Sequence, residues 1–284
     1  MANSPRPVVQ KSSTYLRKYL ALPQQHGAWA LWLGPYAVGL ALAGWPGWAS
    51  LWLTLGMLGG FLGLQPLTIL VKALAGRRPA EERGPALLWT MLYGVLAAGG
   101  ALGLAGVGAG FVLWLALPAL PVLAWQLWLV AQRAERGQMG AEILGAAVLA
   151  LSAPAAQAVG AGGFSPLSFW LWLLCALQSA GAIAVVYVAL DYRRRAERPE
   201  WAERRRLARA AVIANGLALG GVSGLALAEL VPPLAPLAFL VLLAETIYSG
   251  LLRPPVGVRP VIIGVRQTVI TSLISLALIW AYRS

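Results

Sequence analysis

Nine apolar runs, each long enough at about 20 residues to cross a bilayer, recur along this chain at about 27–44, 48–71, 85–106, 109–131, 140–159, 166–190, 208–230, 234–252 and 262–282. With 59% hydrophobic and only 11% charged residues among 284, no single soluble core could hide so much apolar surface. In hydrocarbon each backbone N–H and C=O must be satisfied within its own segment, and runs of this length do that as helices. The expected class is therefore an all-α polytopic membrane protein of about nine transmembrane helices.

The charges sort by loop. Of the 22 Lys and Arg residues, all but Arg283 fall on the side of the N-terminus, in the tail or in and beside the second, fourth, sixth and eighth connections. Basic side chains are retained in the cytoplasm during insertion, which predicts the N-terminus inside and the C-terminus outside. Two regions follow: residues 1–26 as a basic cytoplasmic tail with an interfacial segment, and residues 27–284 as one transmembrane helical domain. The membrane expected is the bacterial cytoplasmic membrane. A net charge of +12 would point to nucleic acid in a soluble domain, but here it marks topology and contact with membrane lipids, and no nucleic-acid partner is expected. The single Cys175, inside an apolar run, excludes an intrachain disulfide framework or a Cys-based metal site. Ala41-Leu42-Ala43 resembles a cleavage site, but the long preceding region with Pro23 and His26 favours an uncleaved first span. Tryptophans at the run ends read as interfacial anchors: Trp45, Trp48, Trp170, Trp172 and Trp280 outside, Trp29, Trp89, Trp128 and Trp201 inside. Glycines at fourfold spacing, Gly56 with Gly60, Gly59 with Gly63, and Gly216 with Gly220 and Gly224, predict close helix packing.

Polar side chains at depth need a separate reason. Leu22 to Trp29, LPQQHGAW, holds the only histidine and places Gln24, Gln25 and His26 at the edge of hydrocarbon. Gln65, Gln126, Glu142, Asp191, Asn215, Glu245, Arg266 and Gln267 fall in the inner half of the membrane, and Gln178 lies near its middle. A one-sided distribution predicts a chamber open to the cytoplasm rather than a through-pore. Glu245 at that depth must be paired, with Arg266 as the candidate partner, or protonated, or in water. Beside the chamber lie Arg193, Arg194 and Arg195, and arginine is well shaped for phosphate. The same arginines also serve as a topology signal against anionic headgroups.

The segment LPQQHGAWALWLGPYAVGLALAG resembles the YwiC-like family of bacterial integral membrane proteins, whose members open the first span with a similar Pro-x-Gln-His-Gly-Ala-Trp signature. This implies a functional or folding hub at Gln25, His26, Gly27 and Trp29. A more distant similarity is to the UbiA-type intramembrane prenyltransferases, which implies a UbiA-like helical bundle with a cytoplasm-facing chamber. That resemblance would also imply Mg²⁺ as cofactor, held with a prenyl diphosphate by two Asp-rich motifs. The motifs are missing: the corresponding positions hold Gln65, Ile69 and Ala73, and Tyr187, Asp191 and Arg195. One carboxylate cannot hold Mg²⁺ at a diphosphate in the usual way, so no cofactor is assigned from the sequence.

Three functions remain open. One is a protein that binds or modifies an isoprenoid or other anionic amphipathic ligand. In it His26, Asp191 and Glu245 are the candidate acid-base groups. Gln25, Gln65, Gln126, Gln178, Arg193, Arg194, Arg195, Asn215 and Arg266 are the candidate ligand contacts. If it is an enzyme, it is a prenyltransferase-like transferase. The second is a proton-coupled transporter or exporter using Glu245, against which the odd span count stands. The third is a haem-handling partner with His26 as ligand.

Overall fold

The computed structural model describes residues 18–23, 26–44, 47–135 and 137–284. Most of the expected tail, Gln25, Trp45 and Arg136 lie outside the described residues, as does the side chain of His26. Every regular element among the described residues is helical. Eight helices are long and apolar enough to cross a membrane: α2 Trp48–Leu74, α3 Ala80–Gly106, α4 Gly110–Ala131, α5 Met139–Ala161, α6 Pro166–Arg193, α7 Trp201–Leu227, α8 Ala235–Leu252 and α9 Pro260–Arg283. Ahead of them α1, His26–Leu42, has 17 residues, or about 25 Å at 1.5 Å per residue, the lower limit for a crossing. The chain is a multi-pass integral membrane protein built as a helical bundle.

Hydropathy places most boundaries within a turn, but α7 begins at Trp201 rather than near 208. Its first two turns, with Arg204, Arg205 and Arg206, continue the helix beyond the apolar run. Two helices are interrupted for local reasons. α4 is a 3-10 segment, Gly110–Ala116, followed by a regular helix, Ala119–Ala131, with Pro118 and Pro121 at the junction. α5 breaks after Leu149 and resumes at Ser152, where Pro154 has no N–H to give to Ala150.

α5 and α6 are the most buried helices and α4 the least. α6 touches α5, α7, α8 and α9, while α1 packs between α5 and α9 and α2 lies along α3. One close backbone approach is between α2 and α3. A Cβ added at Gly59 would stand 2.5 Å from the Ala97 nitrogen, and one at Gly100 would stand 2.3 Å from the Gly56 nitrogen. Lipid tails give helices no hydrophobic reason to associate, so backbone contact through missing side chains supplies dispersion energy instead.

The expected packing through Gly60 and through Gly216, Gly220 and Gly224 is corrected by the structure, since a Cβ at any of these four meets nothing within 4 Å. α7 turns Ala208, Ala211, Asn215 and Val222 inward instead, which leaves its glycine row on the outside. The tryptophans divide likewise. Trp48, Trp128, Trp201 and Trp280 are exposed, as anchors should be. Trp29 packs edge-on against Phe61 at 4.9 Å, and Trp172 donates its indole N–H to Ala147 O at 3.0 Å.

Contacts across loops join the basic connections in pairs, the second with the fourth and the sixth with the eighth. Glu135, after α4, accepts two bonds from Arg77, after α2, at 2.8 and 3.2 Å, and Lys72 Nζ lies 3.3 Å away. Arg198, between α6 and α7, donates to Leu252 O at the end of α8. The Arg77 guanidinium, with Lys72 adding to it, pulls the Glu135 carboxyl from its ordinary 4.5 down to about 2.

Two outcomes follow from this packing. Gly59→Leu overpacks the α2–α3 contact, and overpacking costs roughly 1–3 kcal/mol or more, so its folded yield and Tm in mild detergent should fall well below those of Gly220→Leu, which should match wild type. The Glu135 clamp stabilises fully above the ordinary carboxyl value and is lost as pH falls toward 2. The Tm gap between wild type and Glu135→Gln should therefore be widest near pH 7 and shrink steadily below about pH 4.5.

Candidate functional site

The LPQQHGAW stretch is gripped on both sides. Before it, the helical turn Lys18–Ala21 is wedged against α2 and α3. Leu20 is fully buried against Ile69 and Ala86, Gln65 Nε2 donates to Tyr19 O at 3.0 Å, and Tyr93 OH donates to Ala21 O at 3.1 Å. After it, Trp32 stacks on Phe61 at 5.0 Å and on Tyr36 at 6.1 Å. The backbone of His26 opens α1 at a fixed level. α1 runs parallel to α9, with Arg283 donating to Ala41 O and Gly34 beside Thr271 and Ser275. The same register carried toward the basic face sets His26 level with Arg266 and Gln267.

At that level, between α6, α8 and α9, lies a crevice of about 270 Å³. Its charged end is an ion pair: Arg266 Nη2 donates to Glu245 Oε2 at 2.7 Å. Glu245 is buried, and the Arg266 guanidinium also lies over the Tyr248 ring at 5.1 Å. Ser249, Arg253 and Gln267 complete the polar lining. Val185, Val186, Ile262 and Ile263 supply apolar walls, and exposed Tyr248 and Ile262 leave the crevice open at the side of the bundle. Glu245 sits two turns before the end of α8 and Arg266 two turns after the start of α9, about 10 Å from the helix ends at 1.5 Å per residue.

The end of α8 that roofs this crevice is a π-helical turn, Tyr248–Leu252, where Arg253 N reaches Tyr248 O at 2.7 Å. Such turns free carbonyls and recur at functional sites. Here the freed carbonyls are taken by side chains from the end of α6, the start of α7 and the connection between them. Tyr192 OH donates to Gly250 O at 2.7 Å, Arg204 Nη1 to Leu251 O at 2.6 Å, and Arg198 to Leu252 O. Cations at a helix C-terminus also answer its dipole.

The other sequence candidates lie apart from the crevice. Gln126 Nε2 donates to Ala141 O at 3.2 Å, which ties α4 to α5. Asn215 Nδ2 donates to Thr246 Oγ1 at 2.8 Å, and joins α7 to α8. Asp191 pairs with Arg195 at 3.3 Å, and Arg195 also meets Glu203, whose carboxylate raises the guanidinium's proton affinity further. Arg193 is half-buried and Arg194 exposed at the end of α6. Gln178 is buried in the middle of α6. Among the described residues no three His, Cys, Asp or Glu side chains converge as a metal site would need. Sequence reasoning named Glu245 with Arg266, but passed over Arg253, Tyr248 and the π turn. Arg253-Pro254-Pro255 straight after an apolar run is the signal that could have marked them.

The model of the YwiC-like protein family matches residues 22–157, a little under half of the chain, from the LPQQHGAW stretch into α5. Over that stretch the chain is similar to the YwiC-like family. No curated protein and no solved structure matches it.

Removing one partner of a fully buried ion pair costs roughly 3–5 kcal/mol, and with Arg266 still 35% exposed the lower end applies here. Glu245→Gln and Arg266→Gln should each lower Tm, while the double variant recovers most of the loss. A double variant whose loss equals the sum of the two would show that the charges are not coupled.

Proposed function

We propose that this YwiC-like membrane protein binds an anionic amphipathic molecule, an isoprenoid or other lipid with an acidic head, in the crevice between α6, α8 and α9. The observation that carries this reading is an ion pair at membrane depth inside an apolar-walled crevice that opens at the side of the bundle. With Glu245, Arg253 and Arg266 the lining has one positive charge in excess, which an acidic head would neutralise. In this reading Arg253 and Arg266 hold the head, Glu245 keeps Arg266 oriented, and Val185, Val186, Ile262 and Ile263 meet the tail. His26, at the same level on α1, is the group whose charge can change near neutral pH.

The basic face is read as cytoplasmic, in a bacterial inner membrane, because 21 of the 22 basic residues follow the positive-inside pattern on the proposed crossing scheme. Likeness to UbiA-type prenyltransferases extends the proposal to chemistry. The absence of their Asp-rich motifs from the sequence makes arginine, rather than Mg²⁺, the neutralising group.

A second reading, proton-coupled transport with Glu245 as the coupling carboxylate, draws on the same buried acid. Loss of a proton-gradient response in Glu245→Gln vesicles would favour it. The ligand proposal is tested by thermal shift with farnesyl phosphate, a long-chain fatty acid and uncharged farnesol. Both anions should raise Tm, farnesol should not, and Arg253→Gln should abolish the shift. Equal responses to all three, or none to any, would remove the anionic-amphiphile reading.

A further inference from the structure

The arginines around the start of α7 divide between two tasks. Arg195 is held by Asp191 and Glu203, and Arg198 and Arg204 reach the carbonyls at the end of α8. Arg205 and Arg209 meet no carboxylate or carbonyl among the described residues. Arg206 comes only within 3.9 Å of Glu203 Oε1, the oxygen that Arg195 already holds. The other acids of this segment, Glu197 and Glu200, precede α7, and no carboxylate follows Glu203 along the helix.

These free cations are displayed beside exposed aliphatic side chains. Arg206 and Arg209 are three residues apart, and Ile213 and Leu217 follow at steps of four, so the four share one side of α7. The side chain of Arg206 is 78% exposed, Arg209 is exposed as well, and Ile213 and Leu217 are exposed at 49% and 72%. The opposite side, with Ala208, Ala211, Asn215 and Val222, is the one turned into the bundle. From Arg209 to Leu217 the helix rises about 12 Å at 1.5 Å per residue, within the roughly 15 Å that the hydrocarbon of one leaflet spans. The outward face of α7 therefore carries guanidinium groups where headgroups lie and branched aliphatic groups where acyl chains lie.

Topology asks only for basic residues close to the membrane. It does not ask that the unpaired ones stand in line with the exposed aliphatic side chains of the same helix. An acidic phospholipid is complementary to both parts, because its phosphate accepts charge-assisted bonds from guanidinium and its chain lies along the apolar run. We propose that the outward face of α7 binds an acidic phospholipid of the phosphatidylglycerol kind, with Arg206 and Arg209 on the phosphate, Arg205 adding to the positive field, and Ile213 and Leu217 against the acyl chain. α7 contributes no residue to the crevice lining, and the inference does not rest on what the crevice binds.

The test is thermal unfolding of the full-length protein in mild detergent, titrated at physiological ionic strength with phosphatidylglycerol or with phosphatidylcholine. Phosphatidylglycerol should raise Tm above the phosphatidylcholine value. Replacing Arg206→Gln together with Arg209→Gln should raise the lipid fraction needed for half the shift by at least about fivefold, the effect of roughly one arginine at an acidic surface. Arg193→Gln with Arg194→Gln removes the same charge at the end of α6, off this face, and should change that fraction by less than about twofold. Arg253→Gln, which alters the crevice, should leave it as in wild type. Equal responses to the two lipids, an equal loss in the Arg193 and Arg194 variant, or a loss found in Arg253→Gln and not in the Arg206 and Arg209 variant would each overturn the proposal.

Discussion

Hydrocarbon tolerates neither an unpaired backbone group nor a free charge, and nearly every feature of this protein is an answer to that condition. The helices satisfy their own backbones, and the charged side chains are driven to their ends. Where a charge does enter, as at Glu245 and Arg266, it enters as a pair. Where a helix departs from regularity at the end of α8, the carbonyls of Gly250, Leu251 and Leu252 are met by Tyr192, Arg204 and Arg198. The Arg-rich segment is thus a structural cap before it is anything else. Arg195, held by Asp191 and Glu203, has the same character.

Two kinds of interior follow from the same solvent. α2 and α3 exclude everything by bringing backbones together at Gly56, Gly59 and Gly100. α6 is surrounded by α5, α7, α8 and α9, and the crevice opens between it, α8 and α9. Tight packing in one half of the bundle and a polar opening in the other is an arrangement in which a scaffold presents a site. The family match covers the LPQQHGAW stretch and α1 to α5, whereas the crevice is built from α6, α8 and α9. The two parts meet along α1, which packs on α5 and on α9.

What could be read from the residues was depth, and what could not was direction. Run length and charge located the helices closely, and the depth of Glu245 made pairing with Arg266 one of three outcomes, the one the structure takes. Gln65, Gln126 and Asn215 have similar depth, yet each faces a different neighbour, because rotation about the helix axis is set by tertiary packing that no single run encodes. The glycines make the same point. The rows in α2 and α7 look alike in sequence, but α2 turns Gly59 toward α3 while α7 turns its row outward. The π turn was not legible either, since its free carbonyls depend on Arg198 and Arg204 arriving from elsewhere in the chain. The start of α7 was missed because a polar helix end carries no hydropathy signal.

The account rests on the basic face lying inside, with α7, α8 and α9 as three crossings between the 194–200 connection and the C-terminus. Fusing a fluorescent protein and alkaline phosphatase in turn, after Ser284 and within the 194–200 connection, measures this directly. Nine crossings with the basic face inside predict phosphatase activity with dark fluorescent protein at the C-terminus, and the reverse at the connection. Fluorescence at the C-terminus with phosphatase activity at the connection would place the basic face outside. Signals of the same kind at both positions would mean that the crossings between them do not number three, and either result would contradict the account.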